Sequence, residues 1–170
     1  MGGIIAVTGT PGTGKTTISK ELAKKLSADH IDLNKYVLEH NKYSTYDLSR
    51  NCPIITQKSL RNAVLSEIMP NYRKTPSKWI IIDSHMSHFL PTKAISFLII
   101  VGCSKLKTLE RRLKKRKYTE QKVRENLDSE IFEICKIEAI ERHPSAMYVD
   151  SSKKSAKSIA SMIAKTISKT

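Results

Sequence analysis

Hydrophobic positions along the chain alternate between short continuous runs and stripes spaced three or four residues apart. Ile4-Ile5-Ala6-Val7-Thr8, Trp79-Ile80-Ile81-Ile82-Asp83 and Phe97-Leu98-Ile99-Ile100-Val101 are apolar and rich in β-branched residues. That is the pattern of strands buried on both faces of a parallel sheet. Ala28-Asp29-His30-Ile31 and Met147-Tyr148-Val149 read as shorter strands. Between the runs, Ile18, Leu22 and Leu26, then Leu60, Val64 and Ile68, then Leu106, Leu109 and Leu113 each fall on one helical face. Val123, Leu127, Ile131 and Cys135 recur every four residues and predict a helix through Cys135, capped by Thr119 with Glu120 in its first turn. Ala156, Ile159, Ile163 and Ile167 give the last helix its apolar face. Thr56 to Met69 reads as helix, and Pro70 to Ser77 as a loop with Pro70 and Pro76 as breakers. Asp32 to Ile55 has weak periodicity and reads as an insertion that would hold an acceptor substrate, not as a core element. The alternation of strand and helix predicts an α/β, three-layer domain: a central five-stranded parallel sheet with helices on both faces.

Composition narrows the class. With 170 residues and 39% hydrophobic positions, one folded domain is expected over 1–170. No apolar run approaches the length of a membrane span, and the immediate use of the N-terminus as a strand argues against a signal peptide. Cys52, Cys103 and Cys135 lack C-x-x-C spacing and read as reduced thiols of a cytoplasmic protein, with the nucleus open if the source is eukaryotic. Lys and Arg number 30 against 16 Asp and Glu, a net charge of +14. This excess fits contact with RNA or an RNA-bearing particle, and fits a lysine-rich solvated surface equally well.

The chemistry is concentrated in Gly9-Thr10-Pro11-Gly12-Thr13-Gly14-Lys15-Thr16, which matches G-x-x-x-x-G-K-[ST] between a strand and a helix. The glycines let the backbone approach an anion, the loop N–H groups form a nest, and the helix N-terminus adds its positive end. Lys15 is expected at the terminal phosphates of ATP, the Thr16 hydroxyl on Mg²⁺ and Thr17 on an inner phosphate. Asp83, ending an apolar strand downstream of such a loop, is expected to hold Mg²⁺, often through water. His85 is read as facing the phosphates and His88 as an ordinary surface residue. The basic run Arg111, Arg112, Lys114, Lys115, Arg116 and Lys117 would supply cations from a mobile lid.

With these residues assembled, the chain resembles the atypical adenylate kinase family, small nuclear or archaeal adenylate kinases that also act as ribosome-assembly ATPases. The resemblance rests on Thr8 to Thr17, on Tyr46-Asp47 with Cys52-Pro53-Ile54, on Asp83-Ser84-His85, on Arg112-Leu113 through Arg116 to Tyr118, and on Asn126 with Glu130-Ile131-Phe132. It implies that Gly12, Gly14, Lys15, Thr16 and Thr17 bind ATP, and that Asp83 and His85 form the acid motif, His85 serving hydrolysis. It further implies that Arg116 contacts ATP from a lid over about 115–125, that Arg112 belongs to the same basic motif, and that Ser151-Ser152-Lys153 approaches the adenine. The acceptor would sit against the region from Asp32 to Ile55. This chain departs from the family pattern at Lys117, where Gly is frequent, at Thr56, where Asp is frequent, and near Lys35, where an acidic residue is common.

Three functions fit these residues. One is phosphoryl transfer from MgATP to AMP, with hydrolysis as leakage. Another is an ATP-driven assembly factor that binds a small-subunit ribosomal protein and pre-ribosomal RNA, using an acidic surface around Asp128, Glu130, Glu133, Glu138 and Glu141. The third is a small-metabolite or polynucleotide 5′-hydroxyl kinase on the same fold.

Overall fold

The computed structural model describes residues 2–43, 45–47, 52–72 and 78–169. Its strands and helices are β1 (Ile4–Thr8), α1 (Lys15–Leu26), β2 (Asp29–Asp32), α2 (Leu33–Glu39), β3 (Thr45–Asp47), β4 (Cys52–Ile54), α3 (Gln57–Ala63), α4 (Met69–Tyr72), β5 (Ile80–Asp83), β6 (Phe97–Gly102), α5 (Leu106–Lys115), α6 (Glu120–Ile131), α7 (Ile134–Arg142), β7 (Met147–Asp150) and α8 (Ala156–Ile167). Five strands form one sheet in the order β2-β5-β1-β6-β7, every neighbouring pair parallel. β3 and β4 pair antiparallel in a separate two-stranded sheet.

The pleat explains why the apolar runs are continuous. Ile5, Val7, Ile81, Ile99 and Val101 point to one face, where Ile18 and Leu22 of α1 and Ile159 and Ile163 of α8 cover them. Their neighbours Ile4, Ile80 and Ile82 point the other way, beneath Leu33 and Val37 of α2 and Leu60 of α3. Ala6, Leu98 and Ile100 on that same side meet Ala139 of α7. Each fully buried aliphatic side chain contributes about 2 kcal/mol, so replacing one of these apolar side chains by a polar one would be costly. Leu109, Leu113 and Val123 close a smaller core between α5 and α6.

Three expectations change. The region from Asp32 is not wholly an insertion, because Leu33 and Val37 of α2 are fully buried in the core. The helix predicted through Cys135 breaks at Glu133, which sits in the left-handed region at φ 52°. That turn redirects α7 onto the sheet, seating Ala139, and leaves Phe132 66% exposed. Pro70 does not begin a loop. A π turn over Val64–Ile68 precedes it, with Met69 N–H bonded to Val64 O, and the helix continues to Tyr72. The wider turn accommodates a ring that an unbroken α-helix would not. The remainder of that expected loop, 73–77, lies outside the described residues, as do 44, 48–51 and the side chains of Tyr46, Asp47, Cys52 and Pro53.

Candidate nucleotide site

β1 is the central strand, and the glycine loop leaves its carboxyl end. Gly9, Gly12 and Gly14 have φ of 136°, 90° and 100°. At Gly9 a Cβ would lie 2.1 Å from the Val101 carbonyl oxygen, so the loop runs against the neighbouring strand β6. α1 starts at Gly14 with no side-chain cap, whereas Asp32, Thr56, Thr119 and Ser155 cap α2, α3, α6 and α8. The first N–H groups of α1 are therefore available to an anion.

Lys15 is buried, and its Nζ donates to the Thr10 carbonyl at 3.0 Å. Burial pushes its pKa down to about 8, opposed by the charge of Asp83. Asp83 is 2% exposed at the end of β5, with His30 Nε2 3.3 Å from its Oδ2. His85 lies beyond it. Burial, with Lys15, His88 and Lys122 nearby, lowers its pKa to about 4, so the ring is neutral at pH 7. Asn34, the second residue of α2, reaches both Ser84 and His85.

Gly12, Gly14, Lys15, Thr16, Asp83, His85 and Arg116 all line one cavity of about 540 Å³, together with Asp32, Asn34, Lys122 and Asn126. A second cavity of about 550 Å³ shares Gly12, Gly14 and Arg116 and is lined by Thr17, Arg112, Ser151 and Lys154. Arg112 is turned to protein acceptors: Nη1 donates to Thr13 O at 3.2 Å and to Ser151 Oγ at 2.9 Å, and Nη2 to Ser151 O at 3.4 Å. It ties the loop to the turn after β7. Lys153 lines neither cavity. Its Nζ is 3.6 Å from Asp150, and the neighbouring Lys154 lines the second cavity.

Thr16 and Asp83 bring a hydroxyl and a carboxylate to the same cavity. These hard oxygen donors fit Mg²⁺, which takes one or two protein oxygens and completes its shell with phosphates and water. Among the described residues no cluster of three or more His, Cys, Asp or Glu could hold a metal by itself.

His88 corrects the sequence reading. It is 1% exposed, with Nδ1 2.7 Å from Thr8 Oγ1 and Nε2 3.2 Å from Glu138. Sequence reasoning also missed His30, Asn34 and Lys122. The clue for His30 was the Asp32–Asp83 pair at the ends of two neighbouring parallel strands, visible only once β2 is known to lie beside β5.

Comparison with known proteins then decides the family. The chain matches the family described as "AAA domain" over residues 5–133. A protein of Thermococcus kodakarensis named "Putative adenylate kinase" is 36% identical over 160 residues, covering 94% of this chain and 82% of that one. The chain belongs to the atypical adenylate kinase family. In Caenorhabditis elegans an "Adenylate kinase isoenzyme 6 homolog" is 30% identical over 128 residues, 75% of this chain and 67% of that protein. Among solved structures, a shikimate kinase from Acinetobacter baumannii in complex with shikimate superposes with a TM-score of 0.61 at 13% identity, covering 99% of this chain and 94% of that one. That likeness shows the fold: a five-stranded parallel sheet flanked by helices. Among the described residues, no helix is long and apolar enough to cross a membrane.

Proposed function

We propose that this family member is an adenylate kinase that transfers the γ-phosphoryl group of MgATP to AMP, giving two ADP. The observation that carries the reading is the convergence of Lys15, Thr16, Asp83, His85 and Arg116 on one cavity at the carboxyl ends of β1 and β5. An oxygen of the AMP phosphate attacks the γ-phosphorus, and the bond from that phosphorus to the bridging oxygen of ADP breaks. Little covalent chemistry falls to the protein, so positioning and charge neutralisation dominate. Lys15 exchanges the Thr10 carbonyl for phosphate oxygens, and the uncapped start of α1 holds the inner phosphates. Mg²⁺, held through Thr16 and Asp83, would neutralise charge on the transferring group. Arg116, exposed at the end of α5 and lining both cavities, supplies the lid cation over about 115–125. Arg112 acts by keeping the loop and the adenine side in register, and AMP binds against the region from Asp32 to Ile55, of which 44 and 48–51 lie outside the described residues. Water reaching the γ-phosphorus in place of AMP gives ATPase activity.

A second reading, an ATP-driven assembly factor for the small ribosomal subunit, is supported by the surface at the α6–α7 break. Phe132 and Ile137 are 66% and 50% exposed there, beside Asp128 and Glu141, on a chain of net charge +14. Such a surface suits a basic protein with apolar anchors. Glu130 and Glu138 are already engaged with Cys103 N–H and His88. The deciding experiment is ADP formation from MgATP with and without AMP, for the wild type and His85→Ala. A large increase with AMP is expected. Hydrolysis indifferent to AMP but accelerated by a small-subunit ribosomal protein or RNA would replace the first reading with the second.

A further inference from the structure

We propose that Asn34 is a positioning residue that fixes the proton of His85 on Nε2, so that the imidazole offers the phosphate cavity an N–H donor and not a lone pair. The function of that donor rests on the kinase reading above; the proton position does not. Ser84 Oγ accepts Met86 N–H at 3.2 Å and stands 2.7 Å from Asn34 Oδ1. The shorter distance is that of an O–H···O bond, so the hydroxyl proton points at the amide oxygen. The amide nitrogen of Asn34 then faces His85 Nδ1, at 3.3 Å. Two donors cannot face each other, so Nδ1 carries the lone pair and Nε2 the hydrogen. The triangle is rigid because each corner is anchored. α2 begins at the Asp32 cap on Lys35 N–H and is held by buried Leu33 and Val37, while Ser84 and His85 follow directly from buried β5.

This arrangement changes what His85 can do. With Nδ1 occupied and Nε2 protonated, the neutral ring has no free lone pair with which to take a proton from water or an acceptor hydroxyl. It hydrogen-bonds a phosphoryl oxygen instead, where donation strengthens as charge builds.

The test is nitrogen-detected NMR of histidine-labelled protein without substrate, above the pH where the ring titrates. In the wild type the unprotonated ring nitrogen of His85 should be Nδ1. Asn34→Asp replaces the donor with a carboxylate that only accepts, so the proton should move to Nδ1; Asn34→Ala should leave a mixture. In both variants kcat should fall about tenfold or more, with KM for ATP within about twofold, as for other ring-orienting partners. A wild-type ring protonated on Nδ1, or a proton position the same in all three proteins, overturns the proposal. So does a change confined to KM. Because the wild-type spectrum needs neither a variant nor turnover, failure of the kinase reading leaves this answer intact.

Discussion

Replacing His88 with alanine should lower the melting temperature by about 5–10 °C, although no residue of the phosphate loop is touched. The ring is 1% exposed and packs against Phe89, with centroids 4.1 Å apart. Burial lowers its pKa despite the pull of Glu138, and the neutral ring donates Nε2–H to the carboxylate while its Nδ1 shares the Thr8 hydroxyl with the His85 carbonyl, 3.2 Å from the same oxygen. Losing the Thr8 bond costs about 1 kcal/mol net, and the cavity left by the ring about 1–2 kcal/mol more. The Glu138 bond adds little, because that carboxylate side chain is 43% exposed and water replaces the partner. A total of about 2–3 kcal/mol, at about 2–4 °C per kcal/mol for a chain of this size, gives the stated shift. The assay is thermal unfolding followed by circular dichroism, extended to Thr8→Val and the double variant. The two sites should be coupled by about 1 kcal/mol. A melting temperature within about 2 °C of wild type, or strictly additive losses, would refute the account.

Gly9→Ala should prevent stable folding, since its Cβ would meet the Val101 carbonyl at 2.1 Å, whereas Gly14→Ala meets nothing nearer than 3.7 Å and should cost only the backbone strain of about 1–2 kcal/mol. Soluble yield and melting temperature separate the two. Lys117 sits at φ 57°, so Lys117→Gly should relieve strain and raise the melting temperature by about 2–4 °C in the same assay. Arg112→Ala unties Thr13 from Ser151 and should raise KM for ATP about tenfold with a smaller change in kcat, read from initial rates. His85 and His88 both have lowered pKa values in the fold, so the unfolded chain binds more protons below the ordinary histidine value of about 6.5. Stability should therefore fall as pH drops from about 6.5 towards 4, by up to about 3 kcal/mol through His85, and denaturant unfolding at pH 7.5 and 5 measures it.

Much of this architecture is readable from local pattern. The runs at Ile4–Thr8, Ile80–Asp83 and Phe97–Gly102 announce buried parallel strands because both faces of such a strand are covered. The glycine loop is legible because the positive φ it needs at Gly9, Gly12 and Gly14 excludes most other residues. The same logic failed where a competing local rule was overridden. Pro70 is a helix breaker in isolation, but the π turn before it gives the ring room. The four-residue repeat through Cys135 suggests one helix, but only a turn at Glu133 brings Ala139 onto the sheet.

What the sequence by itself determined was the set of elements and the anion-binding loop, because both depend on the geometry of a few adjacent residues. What only the tertiary structure decided was which side chains meet. His88 looks like surface until Thr8, 80 positions away, and Glu138, 50 positions away, are folded onto it. Asn34 has no meaning in its own segment and acquires one when the order β2-β5-β1 sets α2 beside the end of β5. Arg112 lies in a basic run that suggests a phosphate ligand, yet its fork is filled by Thr13 and Ser151. Hydrogen-bond polarity and burial belong to contacts between distant segments, and no periodicity in a single segment encodes them.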